Sequence, residues 1–209
     1  MRLDAGEELA PARVLAAAGR APHIDGLGLE AAGVEVGERG ITVDGRCRAA
    51  EGIWAVGDVT GVMPFTHVAK YQARVACNDI IGQDARADYR AVPRVVFCDP
   101  EVAAVGLTAE QARGRGTDVT SARIHLPDVL ARPWTYEREP RGELALVADR
   151  ARGVLIGAWA VAPLAAEWIH VAALAIRAAV PLATVRDVPA QFPTFSEAYL
   201  TAVERLSPT

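Results

Sequence analysis

The chain has 209 residues, enough for one large domain or two modest ones. Hydrophobic residues make up 51% and charged residues 23%, the profile of a folded chain and not a disordered one. The net charge is -4 and no Lys/Arg-rich block stands out, so the clustered positive charge needed to hold a phosphate backbone is missing and no nucleic-acid partner is expected.

The opening MRLDAGEELAPARV has no apolar core of the kind a secretory leader carries. LDAGEEL and ARVLAAAGR read as a short strand, a turn and a buried strand that ends at Gly19. LGLEAAGV makes one helical turn at most. GITVDGRCRAAEGIWAVGD alternates strand and turn signals. Its run Ile53-Trp54-Ala55-Val56 suits a strand buried on both faces of a sheet. In GVMPFTHVAKYQARVACNDIIG, Thr66 is placed to N-cap a helix with apolar positions Val68, Val75, Ala76 and Ile80, and Gly82 to end it. A strand, Gly-Asp, a loop and a helix form one unit of an α/β sheet. Ligands of such sheets gather at strand carboxyl ends and helix N-termini.

DARADYRAVPR is polar and irregular, and a domain boundary is placed there. Beyond it the grammar changes. Residues 94–97 and 101–107 read as strands, and Thr108-Ala109-Glu110-Gln111 as a capping box that opens a short helix. Residues 118–126, 143–147 and 154–161 read as strands, the last two joined by a hairpin through Asp149–Gly153. Trp134 and Tyr136 fall in a loop. AAEWIHVAALAIRAAV is a helix apolar on nearly every face, with His170 as a packed or interface residue. The final helix runs from about Thr194 to Arg205. Thr194 and Glu197 have capping-box spacing, which gives Glu197 a structural role on its own. Strands first and helices later make this half an α+β domain with a mostly antiparallel sheet.

Cys47, Cys77 and Cys98 are far apart and form no CxxC pair, so each reads as a small buried hydrophobe. His125 has no Cys or His at ligand spacing, and no metal site is expected. The most apolar stretch, residues 153–166, falls short of the ~18 to 20 residues that span a bilayer. A cytoplasmic location without membrane contact is expected.

Several motifs, in order, carry a resemblance. GIWAVGDVTG resembles the second flavin-binding motif of the FAD-dependent pyridine nucleotide–disulfide oxidoreductases, the family of glutathione reductase, dihydrolipoamide dehydrogenase and mercuric reductase. RVLAAAGRAPHIDGLGLEAAGV is similar to the family's return from nicotinamide domain to flavin domain, and FTHVAKYQARVA to the helix after the flavin motif. VPRVVFCDPEVAAVGLTAEQA resembles the opening of the dimerisation domain and FPTFSEA its closing motif. The resemblance implies that residues 1–90 hold the end of the nicotinamide domain and the C-terminal part of an α/β FAD-binding domain. Residues 91–209 would be the α+β dimerisation domain, through which the protein forms a homodimer.

The same resemblance implies a flavin site. Gly57 and Asp58 would meet the ribityl chain of FAD, and the backbone at Phe65, Thr66 and His67 would face the pyrimidine edge of the flavin. A helix N-terminus offers free N–H donors and the positive end of a dipole there. NADH or NADPH would be the electron donor. Measured against the family, the sequence starts within the last hairpin of the nicotinamide domain, and it contains neither a GxGxxG nor a Cys-x4-Cys motif. Glu197 would be the surviving half of an acid–base pair, because the family's His position is Phe192 and the site two residues upstream is Ala190. The implied function is electron transfer from NAD(P)H through FAD to a small-molecule acceptor, not ordinary dithiol–disulfide exchange. The alternative is a truncated, non-catalytic remnant or dimerisation module without flavin.

Overall fold

The computed structural model describes residue 4 and residues 6–206, and the chain divides into two compact units, one up to Ala87 and one from Asp88.

In the first unit, closely spaced turns cut the extended segments short. β1 (Val36–Gly37) pairs antiparallel with β2 (Gly40–Ile41), and β3 (Arg48–Ala50) with β4 (Ile53–Trp54). Then comes α1 (Thr66–Ile80). Val34, Ile41 and Ala55 form one small apolar cluster, and Cys47, Val75 and Ala76 another.

Four expectations change in this unit. The strand expected from ARVLAAAGR is absent: the segment has no secondary structure, and Val14 and Leu15 are exposed. An apolar run becomes a strand only where a neighbouring strand takes its backbone groups, and no described residue supplies one. The first residues of LDAGEEL lie largely outside the described residues. Ile53 and Trp54 make a two-residue strand that is half-buried, not covered on both faces. Thr66 is the first helical residue instead of the N-cap. Phe65 is the cap, extended at φ -124° and ψ 141°, with its carbonyl accepting the N–H groups of Val68 and Ala69. Ile80 is exposed. Gly82 does follow the helix in the left-handed region, at φ 78°.

The second unit is built on a five-stranded antiparallel sheet, in the order β5 (Arg94–Val96), β6 (Glu101–Gly106), β9 (Val154–Ala162), β8 (Glu143–Asp149), β7 (Val119–His125). β7 alternates as expected, with Thr120, Ala122 and Ile124 turned inward. β8 and β9 lie inside the sheet and are apolar at nearly every position. The hairpin between them is tied at Asp149, whose carboxylate accepts the Arg152 N–H at 3.0 Å while its carbonyl takes that of Gly153 at 2.9 Å. Residues opposite the β8 Val147–Ala148 step shift register at Ile156.

α2 (Ala109–Gly114) starts on the predicted capping box, with the Gln111 N–H donating to Thr108 Oγ1 at 3.1 Å and the Thr108 N–H to Gln111 Oε1 at 3.0 Å. The segment after β7 is more helical than its sequence signals. α3 (Leu126–Val129) and α4 (Arg132–Tyr136) occupy the expected loop, each with a proline in its first turn. The long apolar helix is two pieces, α5 (Ala165–Trp168) and α6 (His170–Arg177), on either side of Ile169. Backbone bonds still bridge them, from Ile169 N–H to Ala165 O at 3.0 Å and from Ala173 N–H to Ile169 O at 3.2 Å. His170 is exposed. α7 (Leu182–Asp187) was not signalled. α8 (Ala198–Arg205) completes the unit.

One face of the sheet is covered by α6 against β9 and by α8 against β7 and β8. Leu144, Leu146, Leu155, Ile124, Ile169 and Val203 are fully enclosed there. Of the cysteines, Cys47 is buried as expected, but Cys77 and Cys98 are exposed.

Candidate functional site

The turn after β4 is shaped by a glycine. Gly57 has φ 83° and ψ -154°, a conformation an L side chain rarely adopts, and a Cβ there would sit 3.3 Å from the Ala69 Cβ. So the turn passes close against α1. A buried side chain fixes the approach: the Gly57 N–H donates to Gln72 Oε1 at 2.6 Å. Gln72 is fully enclosed, and its amide donates to Thr60 Oγ1 at 3.3 Å. The Thr60 hydroxyl donates in turn to Gly57 O at 2.8 Å. This ring of polar groups holds the 3₁₀ turn Asp58–Thr60 on the flank of the helix.

At the other end of α1, Asp79 ties the helix to β3 and β4. Its carboxylate accepts Arg48 Nε at 2.5 Å, Arg48 Nη2 at 2.9 Å, Trp54 Nε1 at 2.9 Å and Arg46 Nη1 at 3.3 Å. The Arg48 guanidinium, helped by the Trp54 indole and by Arg46, outweighs desolvation and holds the Asp79 carboxyl down at about 2.

The predicted residues gather around this framework. Asp58 is exposed, with Oδ2 3.3 Å from Arg20 Nη1; Arg20 Nη2 also donates to Pro64 O at 2.6 Å. Arg20, Asp58 and Pro64 border a depression of about 500 Å³ that also includes Glu38 and Arg39. Thr66 and His67 form the start of α1, where a helix has no acceptors of its own for its first N–H groups. The rings of Phe65 and His67 stack, with centroids 5.2 Å apart. Gly57, Asp58, Phe65, Thr66 and His67 therefore belong to one turn-and-helix-start assembly. The assembly offers an exposed carboxylate that can accept hydrogen bonds and, at the start of α1, backbone N–H groups that can donate them. No sequence motif marks Gln72 or Arg20. Gln72 could have been found as a polar residue on the buried stripe Val68, Gln72, Val75, Ala76.

Glu197 lies in the second unit. Its Oε2 accepts the Thr194 N–H at 2.9 Å, in the capping box that precedes α8. Phe192, five positions earlier, is 75% exposed. Phe195 packs inward, stacked on Trp168 at 6.0 Å, and Trp168 meets Tyr199 edge-on at 6.1 Å. Burial pushes the Tyr199 hydroxyl pKa up; that hydroxyl donates to Trp168 O at 3.0 Å. Among the described residues no cluster of three His, Cys, Asp or Glu side chains could hold a metal, and no helix is long and apolar enough to cross a membrane.

Residues 92–203, more than half of the chain, match the dimerisation domain of the pyridine nucleotide-disulphide oxidoreductases, and residues 1–73 match a second segment of the same family. The chain belongs to this family. Its relatives use FAD and NAD(P)H. It is 36% identical to dihydrolipoyl dehydrogenase of Geobacillus stearothermophilus, over 91% of this chain and 41% of that protein. The figures for dihydrolipoyl dehydrogenase of Thermus scotoductus are 38%, 96% and 43%. Among solved structures it resembles the HOCl-induced flavoprotein disulfide reductase RclA of Escherichia coli, with TM-score 0.81 and 30% identity over 91% of this chain and 44% of that one. LpdA of Mycobacterium tuberculosis gives TM-score 0.82 and 31% identity over 90% and 41%. The chain thus spans less than half the length of these relatives.

Proposed function

We propose that this chain supplies the C-terminal part of a flavoprotein oxidoreductase. Its first unit contributes part of the FAD site. Its second unit, taken as residues 91–209, contributes the surface through which two copies pair. Bound FAD would supply the hydride and electron chemistry, taking electrons from NADH or NADPH and passing them to a small-molecule acceptor.

The observation that carries this reading is the Gln72-centred polar ring. It fixes the Gly57–Asp58 turn against the helix that begins at Thr66. Two unlike recognition elements, a carboxylate and a row of backbone N–H groups, are thereby held on one rigid support. In the role proposed, Asp58 accepts hydrogen bonds from ribityl hydroxyls, with Arg20 orienting its carboxylate. The backbone from Phe65 to His67 faces the pyrimidine edge of the ring, where negative charge is favoured by the helix N-terminus.

The closing motif supports a restriction on the acceptor. Phe192 cannot carry a proton, and Glu197 is engaged by the Thr194 N–H in a cap. General acid–base assistance is worth roughly 10² to 10⁴-fold, so dithiol–disulfide exchange by a His–Glu pair is disfavoured. Acceptors such as quinones need no protein acid at this position.

The test is the flavin content of this chain purified together with the remainder of its flavin-binding domain, read from visible absorbance, in wild type and in Asp58→Ala. Wild type is expected to carry flavin, and the variant to lose it on dialysis or to retain it with at least tenfold weaker affinity, the scale of one charge-assisted hydrogen bond. Equal retention in the two proteins would remove Asp58 from the site. No flavin in either would overturn the reading.

A further inference from the structure

The second unit holds a cavity of about 600 Å³ at one end of its sheet, lined by none of the residues proposed to meet the flavin. Small-molecule sites typically enclose roughly 300–1,000 Å³. Val154, Leu155 and Ile156 of β9 and Ile176 of α6 give it an apolar wall. The charged lining is lopsided. Arg90, Arg94, Arg115 and Arg152 face the cavity, against one carboxylate, Asp149.

The arginines differ in what already satisfies them. Arg90 is clamped by Asp88, through Nε at 3.0 Å and Nη2 at 2.6 Å. That guanidinium draws the Asp88 carboxyl down to about 2, so the pair stays ionised and mutually neutral. Arg94 donates to Gly106 O at 3.4 Å. Asp149 is buried and spends its carboxylate on the backbone N–H of Arg152, at 3.0 Å. The guanidinium groups of Arg115 and Arg152 have no carboxylate within ion-pair distance among the described residues. Arg94 has none either, so with Asp149 counted against these three a net excess of two positive charges stands beside an apolar wall.

Both of these arginines project from ordered turns. Arg115 caps α2, its N–H bonded to Ala112 O at 3.1 Å, and the next residues fold back through Gly116 N–H to Arg113 O at 2.9 Å and Thr117 N–H to Ala112 O at 3.1 Å. Arg152 sits in the β8–β9 hairpin, whose Gly153 carbonyl is pinned by the Leu182 N–H at 2.8 Å. Ordering that is already complete before binding lowers the entropic cost of holding a ligand.

We propose that this cavity binds an organic phosphate monoester. The dianionic head matches the charge of Arg115 and Arg152, and guanidinium groups bind phosphate oxygens through paired hydrogen bonds. The organic body lies along Val154, Leu155 and Ile176, which would have nothing to cover in the case of a bare ion.

The probe is 1-naphthyl phosphate, titrated calorimetrically into the full protein, with 1-naphthol and inorganic phosphate as controls. Wild type should bind the ester at least tenfold more tightly than either control, with affinity falling as salt is raised. Arg115→Gln and Arg152→Gln should each weaken ester binding by about tenfold, the scale of a lost charged hydrogen bond. The flavin content and melting temperature of both variants should match wild type, so failure here is separable from failure of the flavin site. Binding of naphthol or of inorganic phosphate as tight as that of the ester would overturn the proposal. So would ester affinity unchanged in the double variant R115Q/R152Q.

Discussion

Among single residues, Gln72 has the most to lose by substitution. It is fully buried, yet it is polar, and both ends of its amide are used: Oε1 by the Gly57 N–H and Nε2 by Thr60. Gln72→Leu keeps the volume but leaves the Gly57 N–H buried without an acceptor. An orphaned buried donor costs about 1–3 kcal/mol, so the variant should lose that much in urea denaturation. Gln72→Glu retains the acceptor oxygen and should lose less of the turn, though it adds a buried charge. Flavin retention should fall with Gln72→Leu even where the protein remains folded, since the Gly57–Asp58 turn is no longer held. A variant as stable as wild type would mean the amide ring is dispensable.

Elements succeed or fail by their neighbours. The chain near Gly157 illustrates this. The register shift around Ile156 brings β9 so close to Leu107 that a Cβ on Gly157 would lie 1.8 Å from the Leu107 carbonyl oxygen, a backbone atom that cannot step aside. Gly157→Ala should therefore destabilise the second unit by more than the ~1 kcal/mol centre of single substitutions, with a lowered melting temperature as the readout. Serine should be no better. The same dependence on neighbours explains what was legible in the sequence. β7, the β8–β9 hairpin and both capping boxes were readable because alternation, turn glycine and Thr-x-x-Glu/Gln spacing are local signals. Residues 12–18 do not form the strand that their apolarity suggests, because apolarity says that a segment needs cover, not that cover exists. α7, and the helical turns of α3 and α4, went unsignalled because short helices are stabilised by tertiary packing more than by propensity. At the site, Gly57 and Asp58 were legible as a strand-end motif. Gln72 was hidden among apolar neighbours on a helix, and Arg20 acts on Asp58 from 38 positions away.

At the scale of the whole molecule, each unit is held folded by a different balance of forces, and acid should distinguish them. The second unit has one large apolar core; its lowered carboxyl, Asp88, pairs with Arg90 and Arg177. The first unit has only two small apolar clusters, and Asp79 joins helix to strands with Arg46, Arg48 and Trp54. The Asp79 carboxyl titrates at about 2 when folded, against 3.8 for the unperturbed group. A depressed acidic pKa means that the folded state binds fewer protons than the unfolded one. Its stabilisation is complete above about pH 4 and is lost as pH falls toward 2. Each unit offers a reporter. Trp54 is the single tryptophan of residues 1–87 and donates its indole N–H to Asp79, while Trp168 donates to Pro163 O at 3.2 Å inside the second core. Their indole resonances can be followed by NMR through an acid titration. The Trp54 signal should collapse between about pH 4 and 2, and that of Trp168 should persist to lower pH. Asp79→Asn, which removes the titrating group, should lower the stability of the first unit near neutrality and flatten its response to acid. Simultaneous loss of both resonances, at a midpoint unmoved by Asp79→Asn, would show that the two units unfold as one and that Asp79 does not govern the first.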